Sequence, residues 1–151
     1  MIRGISFQVQ QGVANTLWQI FQPLYVTRYQ WYNNEDQYEV FPDGQNDDLF
    51  KTDLYSGQNF LERIQRKHFC LFLKLQAYDE NGLYFDIKTY DEFLSSDCQI
   101  LFLLYDCENI EIYIKDKRVT DLLYHHAKNR GFSNIQLIND ENDRRIGMDV
   151  R

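Results

Sequence analysis

The apolar residues of this chain fall into alternations of period two and short unbroken runs, separated by stretches with helical spacing. Ile100-Leu101-Phe102-Leu103-Leu104-Tyr105 is unbroken, bounded by Gln99 and Asp106. A strand apolar at every position needs cover on both faces, so this run predicts the central strand of a sheet. Elsewhere the alternation marks strands with one buried face. Ile5, Phe7 and Val9 alternate with Ser6, Gln8 and Gln10, and Ile110, Ile112 and Ile114 alternate with Glu111, Tyr113 and Lys115. Phe69, Leu71, Leu73, Leu75 and Ala77 share one side of a strand over residues 69–78. Tyr25, Thr27, Tyr29 and Trp31 share a face, a turn at Asn33-Asn34 follows, and residues 37–41 return, which predicts an antiparallel hairpin. Residues 83–88 form a further strand after the turn Asp79-Glu80-Asn81-Gly82, and residues 135–139 and 146–150 close the chain as a hairpin.

Helical spacing appears at Val13, Leu17, Ile20, Phe21 and Leu24, predicting a helix over about residues 11–22 that ends near Pro23. Ser56 caps a second helix with the stripe Phe60, Leu61 and Ile64. Arg63, Arg66 and Lys67 sit at its C-terminal end, where cations complement the helix dipole. Thr89-Tyr90-Asp91-Glu92 matches a capping box opening a short helix through Ser95. Asp116 caps a third long helix over residues 117–129, with Gly131 as its C-terminal stop. Hairpins mixed with strand-helix-strand units predict an α+β domain. The expected architecture is a mixed, mostly antiparallel sheet of about seven to nine strands. About three helices are expected to lie mainly on one face. The 151 residues show no linker or internal repeat and fit one domain spanning residues 1–151.

Charge changes the picture more than composition does. The formal net charge is −7, so the chain lacks the surplus of Lys and Arg that displaces counterions from nucleic acid. An anionic membrane surface would repel it equally, and no segment approaches the roughly 20 apolar residues of a span. The expected charged partner is a basic protein. Cys70, Cys98 and Cys107 are odd in number and lack a C-x-x-C spacing, which suits a reducing, cytoplasmic setting and buried structural thiols. The N-terminus lacks the apolar core of a signal peptide.

The common phosphate-binding, zinc-protease and serine-hydrolase motifs are missing, so no catalytic residue and no cofactor is expected. His68 and Cys70 could share a strand face, but with only His125 and His126 besides, the ligand count falls short of a zinc site. Cys107 with His125 or His126 could pair a thiol with a base, but no spacing signature supports it. Aromatic content is 16%, with 11 tyrosines. Seven carboxylates lie between Glu35 and Asp53 against Lys51 alone, beside the Tyr29, Trp31 and Tyr32 cluster. Aromatic anchors bordered by acid suit a basic protein partner, so Tyr29, Trp31, Tyr32, Glu35, Asp36, Asp47 and Asp48 are the candidate partner-binding residues. The polar run Asp140-Glu141-Asn142-Asp143-Arg144-Arg145 is a second candidate, with Asp140, Glu141, Asp143 and Arg144 able to bind a ligand or act as acid and base. It lacks the glycine and final glutamate of an EF-hand loop. The competing expectation there is a solvated turn with internally paired charges.

Residues 89–100, with Ala127-Lys128-Asn129-Arg130-Gly131-Phe132, the 140–144 run, Leu17-Trp18 and Tyr29-Gln30-Trp31-Tyr32, resemble an uncharacterised family of small Bacillus-type bacterial proteins. The family is known only as a domain of unknown function. The resemblance implies a bacterial, cytosolic setting and no particular reaction. The function expected first is a non-enzymatic, acidic protein-binding module of the immunity or antitoxin kind. The alternatives are a small-ligand binder or enzyme using the 140–145 loop, and a homodimeric structural protein.

Overall fold

The computed structural model describes residues 1–10, 14–42 and 49–150; the side chains of Glu35 and Pro42 lie outside that description. Among the described residues, seven strands form one sheet: β1 (Ile2–Gln8), β2 (Gln30–Pro42), β3 (Leu54–Tyr55), β4 (His68–Tyr78), β5 (Cys98–Tyr105), β6 (Asn109–Ile114) and β7 (Ser133–Asn139). Their order is β3-β2-β4-β5-β6-β1-β7, and every ladder is antiparallel. The unbroken apolar run is the fourth of seven strands. Its even positions Ile100, Phe102 and Leu104 join one core, and Leu101 and Leu103 join a second on the opposite face.

The helices are α1 (Thr16–Phe21), α2 (Gly57–Ile64), α3 (Tyr90–Ser95) and α4 (Lys117–Arg130). Leu17, Ile20 and Phe21 of α1, Phe60 and Ile64 of α2, and Leu123 and Ala127 of α4 enter the first core, while Phe93 of α3 enters the second. The α+β class, the antiparallel sheet and the one-sided bias of the helices agree with the sequence. The caps agree as well. Ser56 accepts from the Asn59 N–H, Thr89 from the Glu92 N–H, Asp116 from the Arg118 N–H, and Gly131 takes the left-handed conformation at φ 75°. Gly57 fits because any Cβ there would collide with the Thr27 carbonyl under α2.

Four expectations require correction. The turn at Asn33-Asn34 does not reverse the chain: β2 is one continuous strand. Asn33 pairs with Leu75 and Tyr38 with Leu73, so the polar residues 34–37 bulge out of register instead. In β4 the Glu39–Phe72 and Val40–Cys70 pairs leave Leu71 as an extra residue, which turns Cys70 inward and Phe69 outward. Residues 83–88 and 146–150 are extended but join no ladder. They lie over the second face and bond mainly to its side chains. Gln76 donates to Phe85 O (2.9 Å) and accepts from Ile87 N (3.1 Å), while Val150 N donates to Gln37 (2.9 Å). Of the predicted first helix, residues 11–13 fall outside the description, and α1 begins at Thr16.

His68 fastens the start of α1 to β4. Its Nδ1–H donates to Arg66 O (2.7 Å) and its Nε2 accepts from Leu17 N (3.2 Å), so the buried ring is neutral. Burial pushes its pKa below the ordinary imidazole value. The unfolded chain therefore takes up the proton first, and stability falls as pH drops through about 6.5 toward the folded value. Thermal unfolding between pH 7.5 and 5 should show this decline in the native chain and a weaker one in His68→Gln; parallel profiles would exclude the assignment.

Candidate functional site

The first face of the sheet is closed by three helices. Among the described residues, the second face is covered over its middle by α3 and the two extended segments, through Ile87, Phe93 and Met148. Each end of that face carries a distinct group of side chains.

At the β6-β1-β7 end the floor is polar because the alternation of three strands puts its polar members there. Gln136, Ser6 and Glu111 form one cross-strand row, as their pairing shows. Gln8 and Asn109 pair in the next position, and past a register shift in β7 Asn134 joins them through side-chain hydrogen bonds from Asn134 Nδ2 to Gln8 Oε1 and from Gln8 Nε2 to Asn109 Oδ1 (2.8 Å). Residues 142–147 rise beside the first row and enclose an open cleft of about 560 Å³.

The wall of that cleft is held by ions. The Asp143 side chain, 2% exposed, accepts from the Tyr113 hydroxyl (3.1 Å), Arg3 Nη1 (3.0 Å) and Arg145 N (3.1 Å). Arg3 also donates to Asp140 (2.9 Å) and lies over the Tyr90 ring at 4.0 Å. Arg145 donates from Nε (3.2 Å) and Nη2 (2.6 Å) to Glu111 Oε2, and from Nη1 to the Gly147 and Asp149 carbonyls (3.1 Å each). Burial works against both guanidinium charges, but the carboxylates outweigh it and hold both pKa values above the ordinary range. Burial, then the Asp143 charge, drives the Tyr113 phenol up, so it stays a hydrogen-bond donor. The hydrogen bond from Arg3 holds the Asp140 carboxyl below its usual range.

The structure thus brings Asp140 and Asp143 together through Arg3 and leaves Glu141 and Arg144 exposed. The expected internally paired turn is corrected. The pairs run to β1 and β6 because the loop is laid across those strands. Arg3, Glu111, Tyr113 and Arg145 completed the cluster without any sequence motif, since Glu111 lies 34 residues from Arg145 and Arg3 lies 140 from Asp143.

The β3-β2 end is aromatic and acidic. Tyr32 stacks on Tyr84 (centroids 4.3 Å, planes 11° apart), and Tyr78 meets Tyr32 edge-on at 5.3 Å. Leu54, paired with Tyr32 across the strands, is 47% exposed. Phe85 and Leu83 are exposed too. Burial and then the charges of Asp86 and Asp53 push the Tyr84 phenol up to about 12.

Tyr29 and Trp31 are corrected as surface anchors: both are buried in the first core, because the even and odd positions of β2 face opposite ways. Tyr32 is half-buried against the second core, and Asp36 is exposed in the bulge. The Glu35 side chain, Asp47 and Asp48 lie outside the described residues. Tyr84 and Leu54, which the sequence left unmarked, are the exposed apolar side chains beside Tyr32.

Cys70 and Cys98 are buried, and burial raises both thiol pKa values, to about 12 for Cys98. Cys107 sits in the β5–β6 turn and donates its N–H to Leu71 O (2.9 Å), whereas His126 is bonded to Gln19 O (2.6 Å); no hydrogen bond joins the two among the described residues. Among those residues no three His, Cys, Asp or Glu side chains are placed to hold a metal ion. No helix there is long and apolar enough to cross a membrane.

Residues 2–149 match the profile of a family described as a protein of unknown function, DUF2691. The uncharacterized protein YncE of Bacillus subtilis (strain 168) is similar to the chain at 33% identity over 154 residues, covering 99% of this chain and all of that protein. No solved structure matches.

Proposed function

The chain belongs to this DUF2691 family of unknown function, and we propose that it is a non-enzymatic binding module of the bacterial cytosol. Its partner is a basic protein, captured at the aromatic and acidic end of the second face. The observation that carries the reading is the half-exposed Tyr32–Tyr84 stack with the exposed Leu54 beside it and the exposed Asp53 next in the chain. Tyrosine is enriched among the residues that dominate binding energy, since its ring gives a large apolar area at low entropy cost. A net charge of −7 steers a cationic partner toward that end. A second copy of this chain, carrying the same charge, is the less favoured occupant.

The test is affinity capture from the source cell at about 0.05 M and about 0.5 M salt, where screening separates charge-driven from apolar association. The native chain should retain a basic protein at low salt and release it at high salt. Tyr84→Ala should weaken that capture by about 30-fold, the loss of one anchoring residue. Retention of nothing at low salt, equal retention by Tyr84→Ala, or sedimentation as a homodimer through this surface would each overturn the reading.

A further inference from the structure

The cleft at the opposite end of the same face has a chemistry that the basic-partner reading does not use. Its lining carries two carboxylates, Glu111 and Asp143, and two guanidinium groups, Arg144 and Arg145, which sum to zero. Three of the four are already bonded within the fold: Glu111 to Arg145, and Asp143 to Tyr113 and Arg3. The fourth, Arg144, is exposed at the rim, and the floor itself, with its charges paired, has no surplus with which to draw a phosphate or a metal cation. What it offers instead is neutral hydrogen-bonding groups at regular spacing. Ser6 and Gln136 make no side-chain hydrogen bond among the described residues, and each can both donate and accept. The neighbouring row is fixed in orientation by the Asn134–Gln8–Asn109 chain, which leaves amide N–H groups of Gln8 and Asn109 as donors.

From this arrangement we infer that the cleft binds an uncharged polyhydroxylated ligand, a sugar ring or short saccharide. A sugar hydroxyl is itself donor and acceptor, so it pairs with either group of an amide or with a serine hydroxyl. The strands lie about 4.8 Å apart, which sets Gln136, Ser6 and Glu111 at intervals comparable with the width of a sugar ring. Arg145 Nε and Nη2 both donate to Glu111 Oε2, so the pair sets a carboxylate acceptor beside a guanidinium donor, the complement of two adjacent hydroxyls. Sugars also present C–H faces, and the cleft has apolar edges to meet them in Tyr105 and in Ile146, which is 92% exposed. The volume of about 560 Å³ falls within the range of small-molecule sites, and a second shallow hollow continues it over the amide row.

The test is an amide-resolved NMR titration of the full chain with uncharged saccharides: hexoses, pentoses, N-acetylhexosamines and their disaccharides, with inorganic phosphate as the charged comparison. At least one saccharide should give saturable shifts centred on Ser6, Glu111 and Gln136. Ser6→Ala with Gln136→Ala should weaken that binding at least about tenfold and leave the melting temperature unchanged, because neither side chain supports the fold. No saturable shift from any saccharide, the same shifts from inorganic phosphate, or undiminished binding by the double variant would each overturn the inference. No protein partner enters this experiment, so it fails or succeeds independently of the acidic–aromatic reading.

Discussion

Trp31→Ala is expected to lower stability by about 3–5 kcal/mol, the range for deleting a large buried aromatic. Trp31 is 1% exposed and lies flat on Phe60 (centroids 4.3 Å, planes 6° apart), tilted against Phe21 at 5.3 Å and edge-on to Tyr29 at 5.9 Å. Phe21 in turn meets Phe102 of the central strand at 5.2 Å, so the cavity would open between α1, α2 and the middle of the sheet. The indole N–H donates to Val26 O (3.0 Å). Trp31→Phe should therefore retain much of the packing and lose this one hydrogen bond, about 0.5–1.5 kcal/mol, because Val26 O still accepts from Tyr29 N (3.2 Å). Urea unfolding measures both, and the alanine variant should melt roughly 6–20 °C lower for a chain of this size. A Trp31→Ala protein with native stability would mean that the ring stands on the surface, as the sequence pattern alone allowed.

The second large effect is expected at Lys74, an ammonium 1% exposed near the middle of the sheet. Its Nζ donates to Ile87 O (2.5 Å) and lies 2.9 Å from Asp86 and 3.3 Å from Asp149. Lys88 closes the group from the solvent side, 2.7 Å from Asp86 and 3.5 Å from Asp149. Removing one member of a buried ion pair leaves charge uncompensated, typically at 3–5 kcal/mol. Asp86 and Asp149 are partly solvated and Lys88 remains, so Lys74→Ala should lose about 3 kcal/mol, the low end. The loss also has a direction in pH. Burial opposes the Asp86 charge, but hydrogen bonds from Lys88 and Lys74 outweigh it and hold its pKa below the ordinary carboxylate value. The stability this pairing supplies is present above pH of about 4 and disappears as pH falls through the folded value. The gap between native chain and Lys74→Ala should thus be wide at pH 7 and narrow at pH 3. Because the same ammonium ties residues 86 and 149 to the sheet, amide exchange at Ile87 and Met148 should accelerate in the variant. A gap independent of pH would show that packing of the lysine stem, and not its charge, stabilises this region.

Both sites show why local pattern and global placement carry different information. The amphipathic alternations of β1 and β6 announced their strands, and the Ser56, Thr89, Asp116 and Gly131 signals announced helix ends, because these depend on neighbours within a few residues. The unbroken run of β5 announced a strand buried on both sides for the same reason. The Asn33-Asn34 break was equally visible, but a polar interruption fits a bulge as well as a reversal, and pairing with β4 selected the bulge. Residues 83–88 and 146–150 have strand-like composition. They end as covering segments because Gln76, Lys74 and Gln37 offered hydrogen bonds from the sheet face.

The candidate sites were legible only in outline. The stretch around Tyr32 and the charged run of 140–145 lie at opposite ends of the second face. Which side of β2 faces water separates Tyr32 from Trp31, and a one-residue change of register would exchange them. Asp143 is buried because Arg3, from the opposite end of the chain, and Tyr113 converge on it. The sequence by itself determined the α+β class, the central strand, the helix caps and the acidic charge, all set by composition and by short-range periodicity. Tertiary structure alone decided which aromatics are exposed, which carboxylates are paired and where a cleft opens, since those depend on strand order and on contacts between residues far apart in the chain, 34 positions for Glu111 and Arg145 and 140 for Arg3 and Asp143.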